Sequence, residues 1–548
     1  MQLIECVPNF SEGNDLNIIK QITDEIEKIE GVRLLNVDPG KATNRTVVTF
    51  VGEPTQVIEA AYQAIKKAGE LIDMSKHKGE HPRMGATDVC PLIPIANITM
   101  EETANYALQL AKRIGELQLP VYLYEAAQPN KQRSNLSIIR AGEYEGFFKK
   151  IKLPEWKPDF GPAEFDAKRG GTVIGARDFL VAYNINLNTT STRRANAIAF
   201  DVREAGRTIE VDGKKINQPG TLKSVKAIGW FIEEYGVAQI SMNLTNINVT
   251  PVHIAFDEVC NKATARGIRV TGSELVGLIP LKAMLDAGKY FLQKQNRSIG
   301  VSEKELIKIA IKSLGLDELT SFKPQERIIE YMLTNKNDSR LINMQLNDFA
   351  DETASESPAP GGGSIAAYVG VLGVSLATMV ANLSSHKKGW DNRWQEFSDW
   401  AAKGQQFKNE LLKLVDADTA AFNKIMEAFA LPKTTDEEKT NRTQAIQLAT
   451  KFAIEIPFKV METAYASMQV IKAMATTGNP NSVSDAGVGA LCARTAVMGA
   501  FMNVRINAAA YTDKIFVTDI ITRGAAIQNK TIALETEILK LVNEKIGL

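Results

Sequence analysis

The sequence predicts a multidomain chain in which two α/β (α+β) subdomains with mixed sheets precede an all-α helical-bundle domain. Three observations support this fold class. The chain has 548 residues, which is more than one hydrophobic core usually serves. Strand-like and helix-like runs alternate up to about residue 325. Beyond residue 342 the strand-like runs fade and long helical patterns remain.

The predicted domain boundaries follow these changes of pattern. We expect a first α/β subdomain over residues 1–179 and a second over residues 180–325. A helical linker is expected over residues 326–341, and the bundle over residues 342–548.

The first subdomain should contain several strands that alternate with amphipathic helices. Its strand-like runs are QLIECVP, VRLLNVD, RTVVTFVG, VCPLIPI and PVYLYEAA. Its helical runs are DLNIIKQITDEIEKIE, TQVIEAAYQAIKKAGELI and residues 100–117. No GxGxxG lies between a strand and a helix, so a dinucleotide site is unsupported.

The second subdomain repeats this style, and the bundle follows it. FLVAYNINLN and the pair within VKAIGWFIEEYGVAQISMNLTNI are expected as strands, with TRRANAIAFDVREA, PVHIAFDEVCNKATARG and LKAMLDAGKYFL as helices. Long helices are predicted over 364–384, 391–428, 434–476, 482–509 and 528–546. The uncharged run 365–381 is at the short limit for a membrane span, and its Gly, Ala and Ser residues favour a buried bundle helix.

Charge and cysteine usage limit the class of protein. Lys plus Arg and Asp plus Glu both total 64, which argues against bulk attraction to nucleic acid or to an anionic membrane. The four cysteines are widely separated and form no CxxC pair. The first residues, MQLIECVPNF, lack the pattern of a signal peptide. We therefore expect a reduced, cytoplasmic protein.

The segment KHKGEHPRMG contains two histidines, His77 and His81, at a spacing of four. A helix would place both on one face for a metal, but Gly79 and Pro82 oppose a helix and no third ligand is evident. Two interpretations remain: a surface loop, or a rigid loop that presents His81 as a proton shuttle. Asp38, at the end of a strand-like run, either orients that imidazole or begins a turn.

In the bundle, Asp418 interrupts an apolar helix stripe made by Leu411, Val415, Phe422 and Ile425. Burial would raise the pKa of such a carboxyl and suit it to general-acid chemistry. The alternative is a salt-bridged or capping aspartate. The run PGGGSIAA, residues 360–367, opens a helix and either lines an anion site or links two elements.

Several longer motifs, taken together and in order, resemble the formiminotransferase-cyclodeaminase family. In the α/β part they are ECVPNFSEGN, NVDPGKATNRTVVTFVG, DMSKHKGEHPRMGATDVCPLIPI, GARDFLVAYNINL and GSELVGLIPLKAML. In the helical part they are PAPGGGSIAAYVGVLGVSLATMVANL, LVDADTAAFN and FMNVRIN. The resemblance covers nearly the whole chain.

The resemblance implies a bifunctional folate enzyme of histidine degradation. It would transfer a formimino group from N-formimino-L-glutamate to tetrahydrofolate, and then cyclise the product to 5,10-methenyltetrahydrofolate with release of ammonia. The implied catalytic residues are His81, Asp38 and Asp418. The implied folate-binding residues are Gly161, Pro162, Ala163, Glu164, Phe165, Asp166, Ala167, Lys168, Arg169 and Gly170.

Tetrahydrofolate, polyglutamylated, is the expected co-substrate, with no metal, and the fusion of two activities suggests a homo-oligomer. Lys41, Arg45 and Arg83 are candidates for holding the carboxylates of formiminoglutamate. No nucleic-acid or membrane partner is expected. The alternatives are a formyl rather than formimino transferase, a folate-binding scaffold with inactive sites, and a metallohydrolase built on His77 and His81.

Overall fold

The structure is a computed structural model that describes residues 2–40, 44–79, 82–333 and 341–547. The predictions for His81 and Lys41 fall outside these described residues. The chain divides into two compact units. The first comprises Met1–Ala283 and Leu314–Leu333, and the second Met284–Ser313 and Thr334–Leu548.

The elements follow the predicted change from α/β to helical. The described strands are β1 Leu3–Cys6, β2 Asn9–Phe10, β3 Val32–Gly40, β4 Arg45–Gly52, β5 Thr87–Ala96, β6 Val121–Glu125, β7 Thr172–Ala176, β8 Val181–Leu187, β9 Arg207–Val211, β10 Lys214–Gln218, β11 Val225–Ile232, β12 Val237–Leu244 and β13 Val270–Val276. The described α-helices are α1 Leu16–Glu27, α2 Pro54–Leu71, α3 Met100–Glu116, α4 Leu136–Arg140, α5 Glu143–Lys150, α6 Thr192–Val202, α7 Val252–Thr264, α8 Leu281–Lys294, α9 Glu303–Leu314, α10 Pro324–Arg327, α11 Ile329–Leu333, α12 Leu346–Thr353, α13 Gly362–Ser385, α14 Trp394–Ala430, α15 Asp436–Thr477, α16 Val483–Ala508 and α17 Lys514–Ile546.

The first sheet of the first unit is mixed, as predicted. Its strands follow the order β1-β4-β2-β5-β7-β6, with β3 paired to β4. The β5–β7 and β6–β7 pairs are parallel, whereas the pairs formed by β1 to β4 are antiparallel. Helices α1, α2 and α3 pack on one face and bury an apolar core there. The opposite face of this sheet is therefore left for other contacts.

The second sheet, with order β11-β12-β8-β13, is antiparallel throughout. Helices α6 and α7 pack against it, so each sheet of the unit carries helices, as expected. Strand β7, the exposed hairpin β9–β10 and helix α9 were not predicted. The two hairpin strands lack a clear alternation of apolar and polar residues, because they contain few apolar residues and bury little side-chain surface.

The predicted long helices lie in the second unit, which also includes Met284–Ser313. Helix α13 packs on α14 and α16, α15 packs on α14 and α16, and α17 packs on α16 and α15. The final helix begins at Lys514, well before the predicted start at 528. Asp513 fixes that start, because its side chain accepts hydrogen bonds from the N–H groups of Ile515 and Phe516.

Two described helical segments, Gly362–Ser385 and Pro480–Ala508, are long and apolar enough to cross a membrane by length and composition. In the bundle, 61% and 50% of their most apolar windows are buried. Their small residues have a packing role. A Cβ on Gly373 would lie 2.8 Å from the carbonyl oxygen of Gly489, so α13 and α16 approach closely there.

Candidate active sites

A cavity of about 790 Å³ lies within the first unit, against the face of the first sheet opposite to helices α1, α2 and α3. The alternation of side chains along each strand divides the residues between core and cavity. Residues that line the cavity are Glu5, Val7, Val47, Thr49, Val89 and Pro91. Their neighbours in the helix-covered core are Ile4, Cys6, Val48, Phe50, Cys90 and Leu92. The sheet thus presents one polar-lined face to a ligand-sized space.

Two arginines in the cavity wall share one buried carboxylate. The Asp88 side chain is 1% exposed, and Arg45 Nη1 lies 2.8 Å from Asp88 Oδ2. Arg140 donates to the same oxygen, and the Met84 N–H donates to Oδ1 at 3.0 Å. Two guanidinium groups against one carboxylate leave a net positive charge at this wall, which suits a carboxylate-bearing ligand.

Two further cations, Arg177 and Lys226, also line the cavity. Arg45 was a predicted carboxylate ligand, whereas Arg140, Arg177 and Lys226 were not identified from sequence. Nothing in their local sequence separates them from surface charges, since they come together only through the fold.

Asp38 shares the cavity face of the sheet. In the β3–β4 register Asp38 lies opposite Val47, and Asn36 lies opposite Thr49. Asn36, Val47 and Thr49 line the cavity, and directly paired residues point to the same face. The Asp38 side chain is exposed, so its carboxylate lies at the accessible edge of this face.

The loop that precedes β5 is held by His77 and Arg83. His77 Nε2 lies 2.8 Å from the carbonyl oxygen of Asn44, and Arg83 Nε donates to His77 Nδ1 at 3.2 Å. The tautomer that fits both contacts carries its proton on Nε2, because a carbonyl oxygen only accepts. This imidazole is half-buried and braces the loop on either side of the undescribed residues 80–81.

Arg83, a candidate for holding the substrate carboxylates, contacts two glutamates of the protein. Its side chain is 8% exposed, and it bonds Glu145 through both terminal nitrogens and Glu143 through one. These partners lie on α5, so the described contacts give Arg83 a structural role in tying the histidine loop to that helix.

The predicted folate segment, residues 161–170, lies against the same loop by its backbone. Gly85 and Gly170 form an isolated bridge, and the Ala86 N–H donates to the Arg169 carbonyl at 2.8 Å. A Cβ on Gly85 would lie 2.3 Å from the carbonyl oxygen of Gly171. A glycine is therefore required at residue 85 for this close approach of the two backbones.

The side chains of that segment are occupied within the first unit. Phe165 packs against the rings of Tyr144, Phe147 and Phe148. Lys168 Nζ donates to the Glu70 carbonyl at 2.8 Å. Arg169 donates to the carbonyls of Leu117 and Gln118. Among the described cavity-lining residues none belongs to 161–170, and the folate prediction for this segment stays a prediction.

Glu5 is a cavity residue that sequence reasoning missed. Its side chain is 3% exposed, and it has no hydrogen-bond partner within the described ranges. Burial raises the pKa of Glu5 from an ordinary 4.5 to about 7, and the charge of Arg177 opposes this only in part. The signal was present in LIEC, where a glutamate stands between apolar residues of a buried strand.

In the second unit, Asp418 of α14 lines a pocket of about 200 Å³ with Gly361, Gly362 and Gly363 at the start of α13. Ser364 Oγ donates to Asp418 Oδ2 at 3.0 Å, and the Ser364 N–H also stabilises the carboxylate. Burial nevertheless raises the pKa of Asp418, because desolvation outweighs both hydrogen bonds.

The glycine-rich segment and Asp418, which the sequence suggested separately, therefore meet in one pocket. A Cβ on Gly363 would lie 2.1 Å from Asp418 Oδ1, so only glycine permits this approach. Asn503 and Asn507 of α16 complete the polar lining and were not identified from sequence. Their i, i+4 spacing within FMNVRIN was the available signal.

Among the described residues, no group of three or more His, Cys, Asp or Glu side chains is arranged to hold a metal ion. Residue 81 lies outside the described chain.

Three family models match successive parts of the chain. They are the formiminotransferase domain, N-terminal subdomain, over residues 3–177, the formiminotransferase domain over 182–334, and formiminotransferase-cyclodeaminase over 345–525. A formimidoyltransferase-cyclodeaminase from Gallus gallus is 45% identical over 520 residues, which is 94% of this chain and 94% of the relative.

Relatives named for a single activity also match. A glutamate formimidoyltransferase from Thermoplasma acidophilum is 41% identical and covers 57% of this chain and 99% of its own length. A methenyltetrahydrofolate cyclohydrolase from Methylorubrum extorquens is 32% identical and covers 37% of this chain and 99% of its own length.

Proposed function

We propose two consecutive activities for this chain, which belongs to the formimidoyltransferase-cyclodeaminase family. It transfers the formimino group of N-formimino-L-glutamate to tetrahydrofolate, which yields glutamate and 5-formiminotetrahydrofolate. It then closes that product to 5,10-methenyltetrahydrofolate and releases ammonia. The observation that carries the proposal is the match to the whole length of bifunctional relatives, together with one polar pocket in each unit.

The transfer reaction is assigned to the cavity of the first unit. N5 of the folate attacks the amidine carbon and loses a proton, while the departing glutamate nitrogen gains one. We assign this proton transfer to His81, with Asp38 as the carboxylate that assists it. Asp38 lies on the cavity face of the sheet, and the braced His77–Arg83 contact holds the loop on both sides of residues 80–81.

The positive wall of the same cavity supports the choice of substrate. Arg45 and Arg140 contact Asp88, and Arg177 and Lys226 line the same cavity, so a substrate carboxylate would meet several cationic groups there. Formiminoglutamate carries two carboxylates and tetrahydrofolate carries at least one. A formyl transfer would use the same wall, so the donor must be settled by assay.

Cyclodeamination is assigned to the pocket around Asp418. Ring closure requires attack by N10 on the formimino carbon and protonation of the departing nitrogen. A carboxyl with a raised pKa keeps its proton to higher pH and can supply it. The amide groups of Asn503 and Asn507 are suited to orient the folate in this pocket.

The proposal extends to features that follow from family membership. The co-substrate is polyglutamylated tetrahydrofolate, with contacts from residues 161–170. The protein is a cytoplasmic homo-oligomer, with domains at 1–179, 180–325, 326–341 and 342–548. The free cysteines of the described chain are compatible with a reducing compartment.

Activity of the full chain tests the assignment directly. With formiminoglutamate and tetrahydrofolate, glutamate, ammonia and the absorbance of methenyltetrahydrofolate should all increase. His81→Ala should stop glutamate release but spare cyclisation of added 5-formiminotetrahydrofolate, and Asp418→Asn should do the reverse. Asp416→Asn, two residues away on α14, is the matched control and should retain both reactions. If His81→Ala and Asp418→Asn, each still folded, lose the same reaction, the two-site assignment is wrong.

A further inference from the structure

The carboxyl group of Glu5 faces the large cavity, and no described residue forms a hydrogen bond with it. Its side chain is 97% buried, and within the described ranges neither a backbone N–H nor another side chain donates to it. A buried carboxylate is costly unless something donates hydrogen bonds to it. Since Glu5 lines a space large enough for a substrate, a bound ligand is the natural source of those donors.

A carboxylate is matched by two parallel N–H donors on one planar group. The proposed substrates offer two such groups. One is the amidine of formiminoglutamate, and the other is the pyrimidine edge of the tetrahydropterin, where the N3–H and the 2-amino group lie side by side. The position of Glu5 distinguishes between them.

Glu5 lies far along the sheet from the end that we assign to chemistry. Asp38 is opposite Val47 of β4, whereas Glu5 is opposite Val51. Four residues along a strand correspond to about 13 Å. The amidine carbon is the reacting atom, so it must lie near Asp38 and cannot also reach Glu5. The pyrimidine edge lies on the side of the pterin away from N5, and a pterin with a hydrogen bond at each side spans a distance of this order.

We propose that Glu5 binds the tetrahydropterin by accepting hydrogen bonds from N3–H and the 2-amino group, which directs N5 toward the Asp38 end of the cavity. This assignment rests on the proposed transfer of a formimino group in this cavity. It goes beyond it by naming the residue that sets the orientation of the folate.

The surroundings of Glu5 support this orientation. Arg177, which follows β7, lies close enough to act on the carboxyl and favours the ionised form that accepts hydrogen bonds. Phe179 and Leu278 line the same cavity and offer apolar surface for a ring. The cations Arg45 and Arg140 lie at the other end of β4, where the carboxylates of the amino-acid substrate would be held.

The test uses the full chain and follows glutamate release, which reports only the transfer site. Glu5→Gln keeps the shape but replaces one acceptor oxygen with an NH₂ that opposes the pterin donors. We expect the KM for tetrahydrofolate, and the inhibition constant of 5-formyltetrahydrofolate, whose N5 already carries a group and cannot accept another, to rise about 10- to 100-fold. The KM for formiminoglutamate should change less than about threefold.

Glu125→Gln is the matched control. Glu125 lines the same cavity and also senses the charge of Arg177, but it is exposed. This variant removes one negative charge near Arg177 without removing the proposed hydrogen bonds. We expect both constants for folates to remain within about twofold of the parent.

Three outcomes would overturn the assignment. One is an unchanged KM for tetrahydrofolate in Glu5→Gln. Another is a fall in kcat with both KM values unchanged, which would give Glu5 a role in proton transfer. The third is a larger effect on formiminoglutamate than on folates. Absence of glutamate release by the parent chain would instead refute the proposed function itself.

Discussion

Glu5 should make the first sheet less stable as the pH rises through neutrality, even without substrate. In the folded chain the pKa of Glu5 is about 7, against 4.5 in an open chain. Between these values the folded state binds more protons than the unfolded state, so stability falls as the pH increases. The contribution of the neutral Glu5 carboxyl to stability is fully present below pH 4.5 and is lost above pH 7. At about 1.4 kcal/mol per pH unit, the whole effect is about 3 kcal/mol.

Glu5→Gln removes this dependence because glutamine stays neutral. We expect parent and variant to have equal stability near pH 4.5, and the variant to be more stable by about 3 kcal/mol at pH 8. The gain is expected because substitution removes no hydrogen bond from a described residue. It is an upper value, because water can enter the cavity around the carboxyl.

Amide hydrogen exchange, followed by mass spectrometry on peptides that contain β1, measures this locally in the full chain. Comparison of variant with parent at the same pH cancels the intrinsic pH dependence of exchange. Glu116→Gln, at the exposed end of α3, is the control for loss of a surface charge. Equal protection of β1 in parent and Glu5→Gln at pH 8 would refute the reasoning, since it would mean that the carboxylate is not costly where it lies.

Three further outcomes follow from described contacts. Gly363→Ala should displace the carboxyl of Asp418, since the added Cβ would lie 2.1 Å from Oδ1, and should lower cyclodeamination at least 10-fold while glutamate release continues. Ser364→Ala removes a hydrogen bond that lowers the pKa of Asp418, so the high-pH decline of cyclodeamination should move to higher pH in a pH–rate profile. Asp88→Asn leaves Arg45 and Arg140 without their shared counter-charge, and should cost about 3 kcal/mol of protection from hydrogen exchange in β5.

The regular elements were predictable because each has an apolar period that tertiary contacts reinforce. Helix α1 and strand β11 are examples, since their buried residues repeat at helical and strand spacing. The hairpin β9–β10 was not predictable, because its strands are almost wholly exposed and carry no period. The early start of α17 depends on the N-cap at Asp513. A single aspartate in the sequence is not enough to identify the start of a helix.

The second site was more predictable than the first. Asp418 lies on the same helix as the apolar residues that make it stand out, so a local sequence pattern was enough to select it as a candidate. The cavity instead collects Arg45, Arg140 and Arg177 from distant parts of the chain, and only the fold brings them together. The same holds for Cys6 and Cys90, whose Sγ atoms lie 3.4 Å apart across two strands although the sequence separates them widely.

Glu5 and Asp418 are buried carboxyls whose proposed roles need opposite protonation states. Glu5 must lose its proton to accept hydrogen bonds from the pterin, and the pKa of about 7 places that change near neutrality. Asp418 must keep its proton to give it to the departing nitrogen, and its raised pKa extends the pH range in which it does so. Folate affinity at the first site should therefore improve as the pH rises, while the second reaction should slow. The overall conversion of formiminoglutamate to methenyltetrahydrofolate should then have a narrower pH range than either half reaction measured alone. Glu5→Gln should abolish the pH dependence of folate affinity and leave that affinity weak at every pH, whereas Ser364→Ala should shift the high-pH limit upward.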